Sequence, residues 1–209
     1  MTDPRKSAIS LRKKPKQARS NELMAVILEA AAQVLAKEGA PRFTTARVAE
    51  KAGVSVGSLY QYFPNKAAIL FRLQSDEWRQ TSALMSGILE NVETSPLERL
   101  RVLVRVFIRS ECDEAQMRVA LDDAAPLYRD APEAHEARSA ADQAFVAYLE
   151  KVLPTVTNAT RVLVGDLITT TLSSAGKSFS ESPRTEGEID AFAEAMADMF
   201  CAYLRSLGG

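Results

Sequence analysis

A chain of 209 residues, with 46% hydrophobic and 25% charged side chains, can bury a full core and has the balance of a soluble globular protein, not a disordered one. No apolar run approaches the roughly 18 residues of a membrane span, and the basic N-terminus leaves Ile9 and Leu11 isolated, so it lacks the apolar segment of a secretory signal. Cys112 and Cys201 are too few for a disulfide framework; a reducing cytoplasm is the expected compartment, with each thiol acting as a small buried hydrophobe.

The net charge of −1 conceals an asymmetry. Residues 1–66 carry 12 basic and 5 acidic side chains, a surplus of +7, whereas the remainder carries 14 against 22, a deficit of −8. A basic head on an acidic body suggests a polyanion met by one end only.

In chain order, residues 1–19 combine Pro4 and Pro15 with many charges and read as a flexible basic arm. From Ser20, the residues Leu23, Val26, Ile27, Ala30, Val34 and Leu35 recur at three- and four-residue spacing, one face of a helix that should stop at Gly39. Ala40, Pro41 and Arg42 form the break. Ser95-Pro96-Leu97-Glu98 and Thr185-Glu186-Gly187-Glu188 offer capping boxes, and Asp113 with Gln116 and Asp130 with Glu133 offer weaker versions. Long helices are expected near 66–92, 96–111, 114–128, 133–153, 158–180 and 186–206, and strand-like alternation is nearly absent. The expected class is all-α.

The segment from Phe43 to Phe63 is the most informative. Thr44 or Thr45 can cap a short helix, Phe43 can staple onto Val48, and Val48, Ala49 and Ala52 supply a buried stripe. Gly53 permits the left-handed conformation that ends that helix, and Ser55 can cap the next one. Leu59 and Phe63, at i and i+4, should face the core, leaving Val56, Gly57, Ser58, Tyr60, Gln61 and Tyr62 for other faces. Two short helices joined by a tight turn are the unit that places its second helix in the major groove of DNA. Gly57 and Ser58 would let the backbone approach closely. Tyr60, Tyr62 and Lys66 can reach phosphates, Lys66 from the start of the following helix.

This pattern resembles the tetracycline-repressor-like (TetR) family of bacterial regulators. The resemblance lies in Gly39, Thr44-Thr45, Val48-Ala49, Ala52-Gly53-Val54-Ser55, Gly57-Ser58-Leu59-Tyr60, Tyr62-Phe63 and Lys66, and spans roughly residues 20–72. It implies that Thr44 or Thr45, Tyr60, Tyr62 and Lys66 anchor the DNA backbone, with Ser55, Val56, Gly57, Ser58 and Gln61 nearest the base edges. Some members read a base with an Arg directly after the paired Thr; here Ala46 stands in that place and Arg47 follows, so Arg47 reads either a base or a phosphate. Arg12, Lys13, Lys14, Lys16 and Arg19 of the arm would track the backbone, enter the minor groove or merely solubilise the chain.

The resemblance further implies an arm over 1–19, a three-helix DNA-binding domain over 20–65 and a helical effector-binding and dimerisation domain over 66–209. Its two final helices would pair with their twins in a homodimer, Leu167, Leu172, Phe192, Met196, Met199, Phe200 and Tyr203 being the expected interface. Trp78, Met85, Phe107, Met117, Tyr128, Phe145 and Tyr148 are the candidate lining of an effector pocket, although each taken singly suits an ordinary core better. The expected partners are double-stranded DNA, a small-molecule effector and a second copy of the chain, with no membrane and no cofactor. The expected function is a repressor released from a palindromic operator; a DNA-binding architectural or protein-regulated factor without small-molecule control is the alternative.

Enzymatic readings find little support. His135 is the lone histidine and has no nucleophile motif beside it. Gly176-Lys177-Ser178 ends like a phosphate loop, but Thr171 stands where that loop needs glycine. No Cys/His cluster has metal-ligand spacing.

Overall fold

The computed structural model describes residues 18–128 and 144–208, and every regular element among them is helical. The arm through residue 17, the cap expected at Asp130 and Glu133, the start of the helix expected from 133 and His135 all lie outside the described residues. The helices are α1 (Ala18–Arg42), α2 (Thr45–Lys51), α3 (Val56–Tyr60), α4 (Lys66–Glu90), α5 (Pro96–Asp113), α6 (Ala115–Ala124) with a 3₁₀ turn over Ala125–Leu127, α7 (144–152), α8 (Asn158–Ser180) and α9 (Glu186–Ser206).

The punctuation follows local chemistry. Gly39, at φ 72° and ψ 170°, breaks the helical path of α1, and Gly53, at φ 66°, turns the chain between α2 and α3. Thr44 accepts a hydrogen bond from the Arg47 amide, Ser55 from that of Ser58, Ser95 from that of Glu98, Thr157 from that of Thr160 and Thr185 from that of Glu188. Each cap satisfies an amide that the first turn leaves without a partner. One departure from expectation is Asp113: it ends α5 instead of starting the next helix, and Glu114 (φ −105°, ψ 11°) is the break.

The chain forms two compact units. The first contains α1 to α3, α4 through Trp78, and α6 from Gln116 with its 3₁₀ turn. Its core joins Ile27, Leu35, Phe43, Val48, Leu59, Phe63, Ile69, Leu70 and Leu121, all buried, so the head's apolar cluster runs beyond residue 65 into α4 and α6. Tyr128 closes this core, its hydroxyl donating to the Leu121 carbonyl at 3.1 Å and to Gln74 Oε1 at 3.3 Å.

The second unit contains α4 from Arg79, α5, α7, α8 and α9. Its core is built on Leu100, Val104, Ile108, Leu149, Val164, Ile168, Ala197 and Leu204. Gly176 of α8 meets α5 so closely that a Cβ there would stand 3.1 Å from Glu111 Cγ and 3.2 Å from Phe107 Cε1. Phe179 and Phe192 stack at 4.0 Å where α8 gives way to α9, and the Arg184 guanidinium lies 4.4 Å from the Phe179 ring centre. Both cysteines are free thiols whose ionisation burial disfavours: Cys201 is buried, Cys112 half-buried.

The capping box of α9 generates a pH prediction. Glu188 Oε2 accepts from the Thr185 amide at 2.8 Å and from the Thr185 hydroxyl at 2.9 Å, and these bonds, the backbone one first, hold its carboxyl below the ordinary value of 4.5. A lowered folded-state pKa stabilises the fold above the ordinary value, and that stabilisation is lost as pH falls through the folded value. Urea unfolding of the native chain and Glu188→Gln should therefore show a gap at pH 7 that shrinks below about pH 4.5. A gap independent of pH would mean the carboxylate charge contributes nothing.

Candidate nucleic-acid interface

The sequence places two very short helices next to each other, and the geometry shows what fixes them. α2 has seven residues and α3 five, too short to persist alone in water. Phe43, Val48, Leu59 and Phe63 are each 0% exposed in one cluster. The Val54 amide donates to the Ala49 carbonyl at 3.0 Å, closing the turn around Gly53. The result is a helix-turn-helix whose second helix presents Ser55, Val56, Gly57, Tyr60 and Gln61 on exposed positions and Ser58 half-buried.

The residues expected to contact the DNA backbone are not equivalent. Thr44 is exposed and engaged as the α2 cap, while Thr45 Oγ1 lies 3.2 Å from the Tyr60 hydroxyl and so ties α2 to α3. Tyr60 keeps 39% of its surface exposed. Tyr62 is only 4% exposed, and its hydroxyl donates inward to Ser20 Oγ at 3.3 Å. α3 ends at Tyr60, and in the turn that follows the Tyr62 and Phe63 amides both donate to the Leu59 carbonyl at 3.0 Å, which brings both side chains into the core. Lys66 is exposed at the start of α4, and Asn65 Oδ1 caps that helix by accepting from the Ala68 amide at 2.9 Å. Arg47 Nη1 donates to Glu38 at the end of α1 and, at 3.4 Å, to the Arg42 carbonyl. Spacing within single helices gave no sign of that pair.

The expected effector residues fall into different surroundings. Met117 and Tyr128 pack in the core of the first unit, and Met85, Phe107, Phe145 and Tyr148 in that of the second. Trp78 is half-buried. Tyr148 donates to the Pro96 carbonyl at 2.7 Å, and burial raises its pKa. A groove of about 110 Å³ between α7 and α8 is lined by Phe145, Leu149, Arg161, Val162 and Gly165, and among the seven expected residues it takes in Phe145.

The apolar faces of α8 and α9 also divide. Leu172, Met196 and Phe200 are buried in the chain's own core, Phe192 and Tyr203 are half-buried, and Leu167 and Met199 stay 49% and 51% exposed. On the other flank of the α9 buried stripe runs a charge ladder that the sequence reading did not identify. Arg101 of α5 pairs with Glu194 and Asp198, Arg105 with Glu194, and Arg109 with Glu186 and Asp190, the last at 2.9 Å. The signal was present as four-residue spacing of bases on one helix and of acids on another; opposition of the two rows is a tertiary fact.

Comparison with known proteins agrees with this architecture. Residues 27–73 match the family model described as bacterial regulatory proteins, tetR family, and residues 95–207 match that of the tetracyclin repressor-like C-terminal domain. The nucleoid occlusion factor SlmA of Vibrio campbellii is 37% identical over 83 residues, and that of Vibrio cholerae 39% over 85; either match covers 39% of this chain and 42% of the relative's length. Among solved structures, the fatty acid degradation regulator FadR from Bacillus halodurans aligns with a TM-score of 0.68 at 18% identity, covering 90% of this chain and 97% of that one. FadR from Bacillus subtilis in complex with stearoyl-CoA aligns at 0.69 and 16%, covering 85% and 97%. The two family matches together span the helix-turn-helix and most of the second unit, and the chain belongs to the TetR family of DNA-binding transcription regulators.

Proposed function

We propose that the protein is a homodimeric, cytoplasmic repressor that binds a palindromic operator and is released from it by a small-molecule effector. The observation that carries this reading is a doubly capped helix-turn-helix whose second helix exposes Ser55, Val56, Gly57 and Gln61 beside Lys66. Gln61 and Ser58 supply hydrogen-bonding groups for base edges, Gly57 permits close approach, and Thr44, Tyr60 and Lys66 supply backbone contacts. Tyr62 would join them only by exchanging its Ser20 partner for a phosphate. Two-fold pairing follows from need: a single short reading helix binds weakly, and a symmetric pair doubles the contact on an inverted repeat. Leu163 and Leu167 of α8 and Met199 of α9, all exposed, are the surface best suited to that pairing, with Phe192 and Tyr203 at its edge and Leu172, Met196 and Phe200 supporting it from beneath. Control by a small molecule draws support from the stearoyl-CoA complex of a protein of the same fold. Of the expected lining residues, Phe145 borders the groove between α7 and α8, and that groove within the second unit is the proposed effector seat. Effector binding would act by favouring a head spacing that misfits the operator.

A second reading keeps the DNA-binding head and dispenses with the effector. It is favoured by the relatives of 37% and 39% identity, which are named for nucleoid occlusion and not for a ligand.

Selection of bound duplexes from a random pool by the purified protein tests both readings' shared core. An inverted repeat should be enriched, and affinity for it should fall about a thousandfold between 50 and 200 mM salt if about six phosphates are neutralised. Absence of enrichment by a folded dimer would overturn the proposal. On the enriched duplex, Lys66→Ala should weaken binding to all sequences alike, whereas Gln61→Ala should change the ranking among sequences; the reverse would exchange their roles. Leu167→Asp should yield a folded monomer in sedimentation analysis and abolish tight operator binding. A persistent dimer would place the interface elsewhere.

A further inference from the structure

Arg47 lies on the first helix of the helix-turn-helix, the one that crosses the DNA backbone in such motifs, and its charge would ordinarily count toward phosphate binding. Yet its guanidinium is turned back onto α1. Nη1 donates to the Glu38 carboxylate and also lies 3.4 Å from the Arg42 carbonyl. The arrangement is held from several sides. Gly39, in the left-handed region directly after Glu38, folds the chain back toward α2. Phe43 and Val48, both wholly buried, fix the angle between the helices, and the Arg47 amide is committed to the Thr44 cap. The Glu38 side chain is only 28% exposed, so its attraction for the guanidinium is less screened than that of a free surface carboxylate.

We infer that Glu38 withholds Arg47 from DNA, acting as an internal counter-ion that lowers the sequence-independent part of the affinity. A guanidinium held by a carboxylate releases no counter-ion from a phosphate, so the pair removes one backbone contact from the footprint. Weakening the sequence-independent term while leaving base contacts intact raises the share of binding that depends on sequence. The inference rests on the chain's membership in a DNA-binding family and on the operator reading above.

The test is a double-mutant cycle on the duplex enriched by the native chain and on a scrambled duplex, across a salt series, with thermal unfolding of each variant as a folding control. Glu38→Gln should tighten binding to both duplexes about two- to fivefold, the range open to a surface ion pair. The slope of log affinity against log salt should become steeper by about 0.9, one added phosphate. Arg47→Ala in the native background should change affinity less than twofold, but in the Glu38→Gln background it should erase the whole gain. If Glu38→Gln tightened binding equally with and without Arg47, Glu38 would act by bulk repulsion alone and the inference would fall. It would fall equally if Arg47→Ala weakened native binding severalfold, since Arg47 would then already contact DNA. Arg47→Lys with Glu38→Gln keeps a positive charge and should retain part of the gain, even if the alanine variants unfold. Failure of the native chain to bind any selected duplex would instead strike the operator reading itself.

Discussion

The reading surface depends on the burial of two side chains, Leu59 and Phe63. A helix of five residues cannot form by itself, because nucleation fixes several residues for a single hydrogen bond. Here α3 exists because Leu59 and Phe63 are both wholly buried in the cluster that also holds Ile27, Val48 and Ile69, and because Ser55 satisfies its first turn. Every outward-facing group on α3 inherits its position from that inward pair. A loss of packing at either position would remove the direction in which Ser58 and Gln61 point before it removed any DNA-facing atom.

The second unit solves a comparable problem for a longer helix by different means. α9 carries a broad buried stripe through Ile189, Ala193, Ala197 and Leu204, and apolar burial supplies most of its hold. Burial alone is poorly directional, and a helix could rotate or slide with modest loss. The row Glu186, Asp190, Glu194 and Asp198 advances by four residues along one flank of that stripe and meets Arg101, Arg105 and Arg109 of α5 in antiparallel order. Individual surface pairs contribute little. As a set they single out one rotation and one register, since a one-turn slip would leave an end of the row unpaired. With the charged flank clamped, the opposite flank, which carries Met199 with Phe192 and Tyr203 beside it, is left facing outward.

Local chemistry was readable in the sequence, and tertiary chemistry was not. The caps at Thr44, Ser55, Ser95 and Thr185 and the breaks at Gly39 and Gly53 each involve residues within a few positions of one another, so residue type and spacing suffice. Tyr62 shows where spacing misleads: the i, i+4 rule that correctly buried Leu59 and Phe63 assigns Tyr62 to another face, yet the tight turn after α3 buries it as well. The pocket residues show a second limit. An aromatic at mid-helix reads the same whether it lines a cavity or fills a core, and only the structure reveals that the Tyr128 and Tyr148 hydroxyls are engaged with the carbonyls of Leu121 and Pro96. The charge ladder lay deeper still, because Arg101 and Asp198 are 97 positions apart.

These pairings change what a charge count means. The count of 12 basic side chains over residues 1–66 treats each Lys and Arg as available to a polyanion. In the folded head Arg47 is already matched by Glu38, whereas Lys66 stands exposed at a helix start. A protein that reads sequence gains nothing from maximal attraction to the phosphates, since that attraction is the same on every duplex and competes with recognition. Limiting backbone charge to what registers the helix on the groove lowers affinity for every duplex alike and leaves side chains such as Gln61 and Ser58 to decide between bases. Folding a base back onto its own acid is one way to set that limit without losing the basic residue, and the left-handed turn at Gly39 is what brings the two within reach.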